Sequence, residues 1–406
     1  MKPLFLFFLL LSALTGALPA QEVKVIGYLP SYRFALQDQI RYDRLTHLNL
    51  SFLNPDMQGN LSIEGQNIAP VVAKARAANP DIQVFISLAG GALTSEWANA
   101  WNFFMQPAQR AAFIHSLIQY AETHDLNGLD VDLEWQYVTS LYSPFVLQLS
   151  DSLQAKGLLM TAAWPAIYRY PQISNAALAR FDWINLMAYD LTGPWNPSLP
   201  GHHSPFSFAQ QSIAYWLGQG VPGNRLVLGV PFYGRNWESP NTGQAFTYAA
   251  MVAEDTSYAW LDQVGQRYYN GIPTIQAKTL LAQAETSGVM IWELGQDVFG
   301  ANAHLSLLAA IDAQVGSTTP LEQALPQASW RLFPNPFEDQ FGLVWDGPAQ
   351  FAEIALLDMQ GRTVHTQAIW LDGVEIALPV AQLPAGMYLC QVRTRDQLLS
   401  RKVLKQ

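Results

Sequence analysis

From residue 22 to about residue 313 the chain alternates two hydrophobic patterns. Short apolar runs at 23–28, 45–52, 83–88, 128–134, 158–164, 183–189, 226–232 and 288–293 read as strands. Between them lie segments with apolar residues at helical spacing. Phe113, Ile114, Leu117, Ile118 and Ala121 form the clearest such stripe. Strands alternating with helices at this length predict a (β/α)8 TIM barrel, with a doubly wound sheet as the competing arrangement.

The pattern then changes. Residues 316–329 are rich in Ser, Thr, Pro and Gln and read as a linker. Residues 330–406 hold short alternating runs between Gly, Pro and Asp turns, with no helical stripe. Ile354, Leu356 and Asp358 alternate before Gln360-Gly361, and Tyr388, Cys390 and Val392 alternate after Pro384-Ala385-Gly386. These signals predict a small all-β, immunoglobulin-like sandwich. At the other end, Lys2 precedes an apolar run from Leu4 to Leu11, and small residues lead to Ala20. The run is too short to span a bilayer, so residues 1–20 read as a removable signal peptide; a buried first strand is the alternative. The expected division is 1–20 signal peptide, 21–315 barrel, 316–329 linker and 330–406 sandwich.

Composition narrows the chemistry. The chain has 22 Lys plus Arg against 32 Asp plus Glu, and no basic run, which argues against nucleic acid as a partner. The single cysteine, Cys390, rules out an intramolecular disulfide and a cysteine-rich zinc site. Its place in an alternating run makes it a small core residue.

The most informative stretch is Leu129-Asp130-Val131-Asp132-Leu133-Glu134. Side chains at i, i+2 and i+4 of a strand share a face. Asp130, Asp132 and Glu134 would therefore line a barrel interior, with Glu134 at the C-terminal rim, where barrel active sites lie. Carboxylates about 6.5 Å apart repel by about 2.5 kcal/mol at an effective dielectric of 20, or nearly two pKa units. At least one proton should be retained near neutral pH, as a general acid requires. The same trio could instead be a solvated edge, or hold Mg²⁺ or Ca²⁺ through its oxygens.

Asn127-Gly128-Leu129-Asp130-Val131-Asp132-Leu133-Glu134 resembles the Asp-Gly-x-Asp-x-Asp-x-Glu motif of glycoside hydrolase family 18, with Asn in place of the first Asp. Met187-Ala188-Tyr189-Asp190 is similar to the family's Met-x-Tyr-Asp, and Gly229 to Arg235 to its seventh-strand signature. Gly27-Tyr28 and Trp292 fall where the family has its first strand and floor tryptophan. The likeness spans about residues 22–313.

The resemblance implies a retaining hydrolase of β-1,4-linked N-acetylglucosamine polymers, chitin or its oligomers, in which the substrate's acetamido oxygen is the nucleophile. Substrate-assisted families of this kind stand apart from the usual two-carboxylate scheme. It further implies Glu134 as general acid, Asp132 orienting the acetamido group, Asp130 sharing its proton and Tyr189 bonding the carbonyl oxygen. Asp190, Trp292, Met187, Tyr28 and Arg235 would contact or frame the sugar. No cofactor or metal is needed, and a monomer is expected. An endo-β-N-acetylglucosaminidase or peptidoglycan hydrolase would use the same groups; a non-catalytic lectin is the other class. Two departures stand out. The family's Ser-x-Gly-Gly, aligned on Gly90-Gly91, puts Leu88 at the Ser position and Ser87 on the opposite face. Asp130 would then lack a partner. The segment from Trp237 to Gly271 is too short for the family's full α+β insertion, which predicts a low cleft wall. His202-His203 reads as loop structure.

The tail resembles the C-terminal sorting domain of type IX secretion. The matching segments are Phe333-Pro334-Asn335-Pro336-Phe337, Leu357 to Arg362, Leu383 to Tyr388 and the ending Lys402 to Gln406. This implies a Gram-negative host, the type IX secretion machinery as partner and a secreted or cell-surface protein; a carbohydrate-binding module is the rival.

Overall fold

The computed structural model describes residues 23–239, 241–315, 330–345, 350–358, 362–371, 376–394 and 398–406. The signal peptide and linker readings lie outside these residues. All eight expected barrel strands form: β1 Lys24–Pro30, β2 His47–Pro55, β3 Gln83–Gly90, β4 Gly128–Leu133, β5 Leu159–Pro165, β6 Trp183–Met187, β7 Leu226–Pro231 and β8 Gly288–Trp292. Each pairs in parallel with the next, and β8 returns to β1, closing the sheet. Closure decides for the barrel over the doubly wound sheet.

Closure also divides every strand into an outer and an inner face. Leu129, Val131 and Leu133 of β4 join the core beneath the helices. The stripe Phe113, Ile114, Leu117, Ile118 and Ala121 is buried on helix Pro107–Thr123 and packs into that same core. Inside the barrel, Ile26, Phe85, Trp183, Val227 and Met290 form an apolar plug with Tyr28. Polar side chains from five strands, Tyr28, Ser87, Asp130, Thr161 and Asn185, meet within the barrel.

The segment between β7 and β8 is more than a loop. Tyr233–Asn236, Gln244–Thr247, Gln263–Val264 and Arg267–Tyr268 make a four-stranded antiparallel sheet. Helix Tyr248–Glu254 joins it. The segment is thus a compact α+β unit built from strands of two to four residues.

The tail has its own core. Strands β9 Trp330–Phe333, β10 Gln340–Trp345 and β13 Ile376–Pro379 form one antiparallel sheet. A second holds β11 Gln350–Leu357, β12 Thr363–Leu371, β14 Gly386–Thr394 and β15 Leu398–Lys405. Ile354, Leu356, Tyr388, Cys390 and Val392 are buried together, as the alternation predicts. Burial pushes the Cys390 thiol up to about 12, which leaves it inert.

Candidate active site

β4 carries Asp130 and Asp132 inward, and Glu134 follows at the strand's C-terminal end. Asp130 is fully buried and accepts four hydrogen bonds. Tyr28 OH (2.6 Å) and Ser87 Oγ (2.7 Å) donate to Oδ2; Thr161 Oγ1 (2.6 Å) and Asn185 Nδ2 (3.3 Å) donate to Oδ1. Its oxygens are thereby spent on protein donors. Burial still holds its pKa above the ordinary range, against these bonds.

The expected gap at Asp130 is therefore not there. In the parallel ladder Ser87 lies opposite Asp130, and Leu88 opposite Val131. Residues in register share a face, so Ser87 points inward and Leu88 packs into the outer core. Ala89 and Gly90 both adopt left-handed backbone, at φ 74° and 88°. The motif's glycine pair thus falls one residue earlier, on Ala89-Gly90, and Ser87-Leu88-Ala89-Gly90 is the match to Ser-x-Gly-Gly.

Asp132 is also buried, and its Oδ1 has no hydrogen-bond partner among the described residues. Burial and the charges of Glu134 and Asp130 push its pKa well up. Glu134 is raised to about 7 by burial and by the Asp190 charge. A group with that value is about half protonated at neutral pH, so it can both give and take a proton there.

These groups open into a cleft of about 360 Å³ at the C-terminal end of the barrel. Tyr28, Asp132, Glu134, Met187, Tyr189, Asp190 and Trp292 all line it. Trp292 stacks on Phe52 at 5.7 Å and meets Tyr28 edge-on at 5.6 Å, which fixes a flat indole surface in the cleft. Among the described residues Tyr189 OH meets only the Met290 sulfur, at 3.9 Å. Asp190 sits in left-handed backbone at φ 60°. Its Oδ1 accepts from Tyr233 OH (2.8 Å) and from Arg235 Nη2 (2.7 Å). Burial would raise the Asp190 pKa, but His203 and the Arg235 guanidinium outweigh it and hold it below its ordinary value. Arg235 does not line the cleft; it is mostly buried behind Asp190 and against Trp195.

Sequence reasoning did not find Thr161 and Asn185 under Asp130, or Tyr32, Glu64 and Trp97 on the cleft wall. Thr161 and Asn185 left a signal: each is a polar residue inside an otherwise apolar barrel strand. The wall residues follow the barrel strands on short segments, Tyr32 on the 3-10 turn Ser31–Leu36, Glu64 in a turn and Trp97 in the first turn of helix Ser95–Phe104, and carry no periodic mark. His203 is structural, as expected: Nε2 bonds Tyr233 O (3.1 Å), and Nδ1 faces the Asp190 amide (3.4 Å).

Residues 24–297 match glycosyl hydrolases family 18, and residues 331–406 match the secretion system C-terminal sorting domain. The chain is similar to the GH18 chitinase ChiB from the chitin utilization locus of Flavobacterium johnsoniae. That structure shares 42% identity over 73% of this chain and 94% of its own, with a TM-score of 0.70. A chitinase from Bacteroides thetaiotaomicron gives 28% identity, 72% and 96% coverage, and a TM-score of 0.63. Class V chitinase CHIT5 of Lotus japonicus is 26% identical over 67% of this chain and 82% of its own length.

Proposed function

The chain belongs to glycosyl hydrolases family 18, and from that premise we propose that it cleaves β-1,4-linked N-acetylglucosamine polymers with retention of configuration. One observation carries the reading: the buried, unpartnered Oδ1 of Asp132 in the cleft between Asp130 and Glu134. An unpaired buried oxygen is costly. A sugar acetamido N–H would satisfy it and turn the acetamido oxygen toward the anomeric carbon.

Position supports these roles. Glu134, about half protonated near pH 7, gives its proton to the glycosidic oxygen as the C1–O bond breaks. The acetamido oxygen bonds to C1, forming a cyclic oxazolinium. Asp132 takes the N–H bond and offsets the positive charge, while Asp130, its oxygens held by four protein donors rather than by a proton shared with Asp132, acts on Asp132 through its charge. Tyr189, with only a weak sulfur partner, is free to bond the carbonyl oxygen. Trp292 supports the sugar ring, Tyr28 holds Asp130, Met187 packs the cleft side, and Arg235 fixes Asp190 against the same sugar. Glu134 then takes a proton from water, which opens the ring from the face the leaving group vacated.

Mass spectrometry of products tests the reading. Purified chain would be given N-acetylglucosamine hexamer, a high-mannose glycopeptide and peptidoglycan. Cleavage of the hexamer first supports a chitinase. Cleavage of only one of the others moves the substrate to N-glycans or peptidoglycan and keeps the chemistry. No cleavage of any of the three sinks it.

The tail is a secretion-system C-terminal sorting domain, so the protein is secreted or held at the cell surface. We further propose the division 1–20, 21–315, 316–329 and 330–406. It is supported by helix Leu307–Val315 packing into the barrel core and by Trp330 opening the tail core. The type IX machinery would engage 330–406.

A further inference from the structure

Lys278 is the one described lysine whose side chain is wholly enclosed away from the cleft without a carboxylate bonded to it. It lies on helix Ile272–Glu285, between β7 and β8. Its ammonium donates to Ser204 O, Ser204 Oγ and Asn270 Oδ1, each at 2.7 Å, so all three protons are used and every acceptor is neutral. A buried cation without a counter-charge is costly, and an apolar side chain of similar volume would fill the same space more cheaply. Packing alone does not account for it.

What it holds is the back of the catalytic loop. Ser204 Oγ, which accepts from Lys278, donates its own proton to Ala188 O at 2.6 Å. That carbonyl belongs to the peptide joining Ala188 to Tyr189. The neighbouring residue, His203, accepts the Leu191 amide at its backbone oxygen (2.9 Å) and faces the Asp190 amide through Nδ1. Asn270 Nδ2 donates to Ser204 O at 2.9 Å and closes the cluster from the inserted α+β unit. Beyond Met187 the chain has left the β6 ladder, and Asp190 stands in left-handed backbone. The Ala188 carbonyl and the Asp190 and Leu191 amides are thus met by Ser204 and His203 rather than by a strand neighbour.

We propose that Lys278 is a positioning residue, fixing Tyr189 against the substrate through Ser204. The kinetic part of this rests on the role proposed above for Tyr189; the structural part does not. Burial brings the Lys278 pKa down to about 7, with Asp262 opposing, and His202 and His203 feel its charge, so the same contact is weakest in alkali.

Two readouts on the full-length chain test this. In Lys278→Met, amide exchange followed by mass spectrometry should speed up by about tenfold or more in peptides covering 188–192, with β1 and β4 unchanged. Exchange unchanged there, or raised throughout the barrel, overturns the proposal. Ser204→Ala removes only the relay hydroxyl; it should give the same local pattern, and it stands in for Lys278→Met if that variant does not fold. In a kinetic cycle on an aryl β-glycoside of N-acetylglucosamine dimer, Lys278→Met should lower kcat by about tenfold with KM nearly unchanged. In a Tyr189→Phe background it should cost less than about twofold. Multiplying effects would mark Lys278 as merely structural and overturn the proposal. Loosened exchange with a fully active Tyr189→Phe would instead refute the role given to Tyr189.

Discussion

Glu134 owes its raised pKa to two causes that can be separated by mutation: burial, and the Asp190 charge. As general acid it works only while protonated, so kcat/KM should fall as pH rises through about 7. Asp190→Asn removes a charge that favours the protonated form. The alkaline limb should then move to lower pH, whatever happens to the maximal rate; a pH–rate profile on the hexamer checks the direction. Glu134→Gln should cut turnover by about 10² to 10⁴ while retaining oligosaccharide binding, measured by single-turnover assay and calorimetry. Asp130 differs from both. Its four donors partly offset burial, and Ser87→Ala removes one that favours the charged form. That variant should raise the Asp130 pKa further, seen as a shift in its carboxyl titration by NMR.

The elements matter through how closely they approach. A Cβ on Gly229 of β7 would collide with Leu186 O on β6. Backbone cannot yield there as a side-chain tip can, so Gly229→Ala should destabilise the barrel by about 1–3 kcal/mol in denaturant unfolding. At the end of β3, Gly91 lies against Glu134, and a Cβ there would overlap Oε1. Gly91→Ala should therefore displace the acid and lower kcat with little loss of stability, since Glu134 is flexible and at the cleft. Unchanged kcat would mean that Glu134 relaxes without cost.

At the scale of the molecule, two cores share no residue: one runs through the barrel, the other through the tail. Cys390 is the single cysteine and lies in the tail core. Its labelling by a thiol reagent across a denaturant series should follow unfolding of the tail alone, while tryptophan fluorescence also reports the barrel. The sorting role belongs to the tail, so deleting residues 330–406 should block export and spare hydrolysis of the hexamer. Lost polysaccharide binding with normal export would assign the tail to carbohydrate instead.

The amino-acid sequence by itself determined the barrel, the tail and the acidic face, because periodicity is a local property. Leu129, Val131 and Leu133 alternate with Asp130, Asp132 and Glu134 whatever lies beside them, and eight apolar runs separated by helical stripes leave few ways to bury their surface. Register between strands is not local. Whether Ser87 or Leu88 faces Asp130 depends on how β3 pairs with β4, and left-handed Ala89 takes the place of the motif's first Gly. Long-range polar partners were equally out of reach: Tyr28 is 102 residues from Asp130, and Lys278 is 74 from Ser204. Only closure of the barrel and the packing of its loops bring those groups within hydrogen-bonding distance.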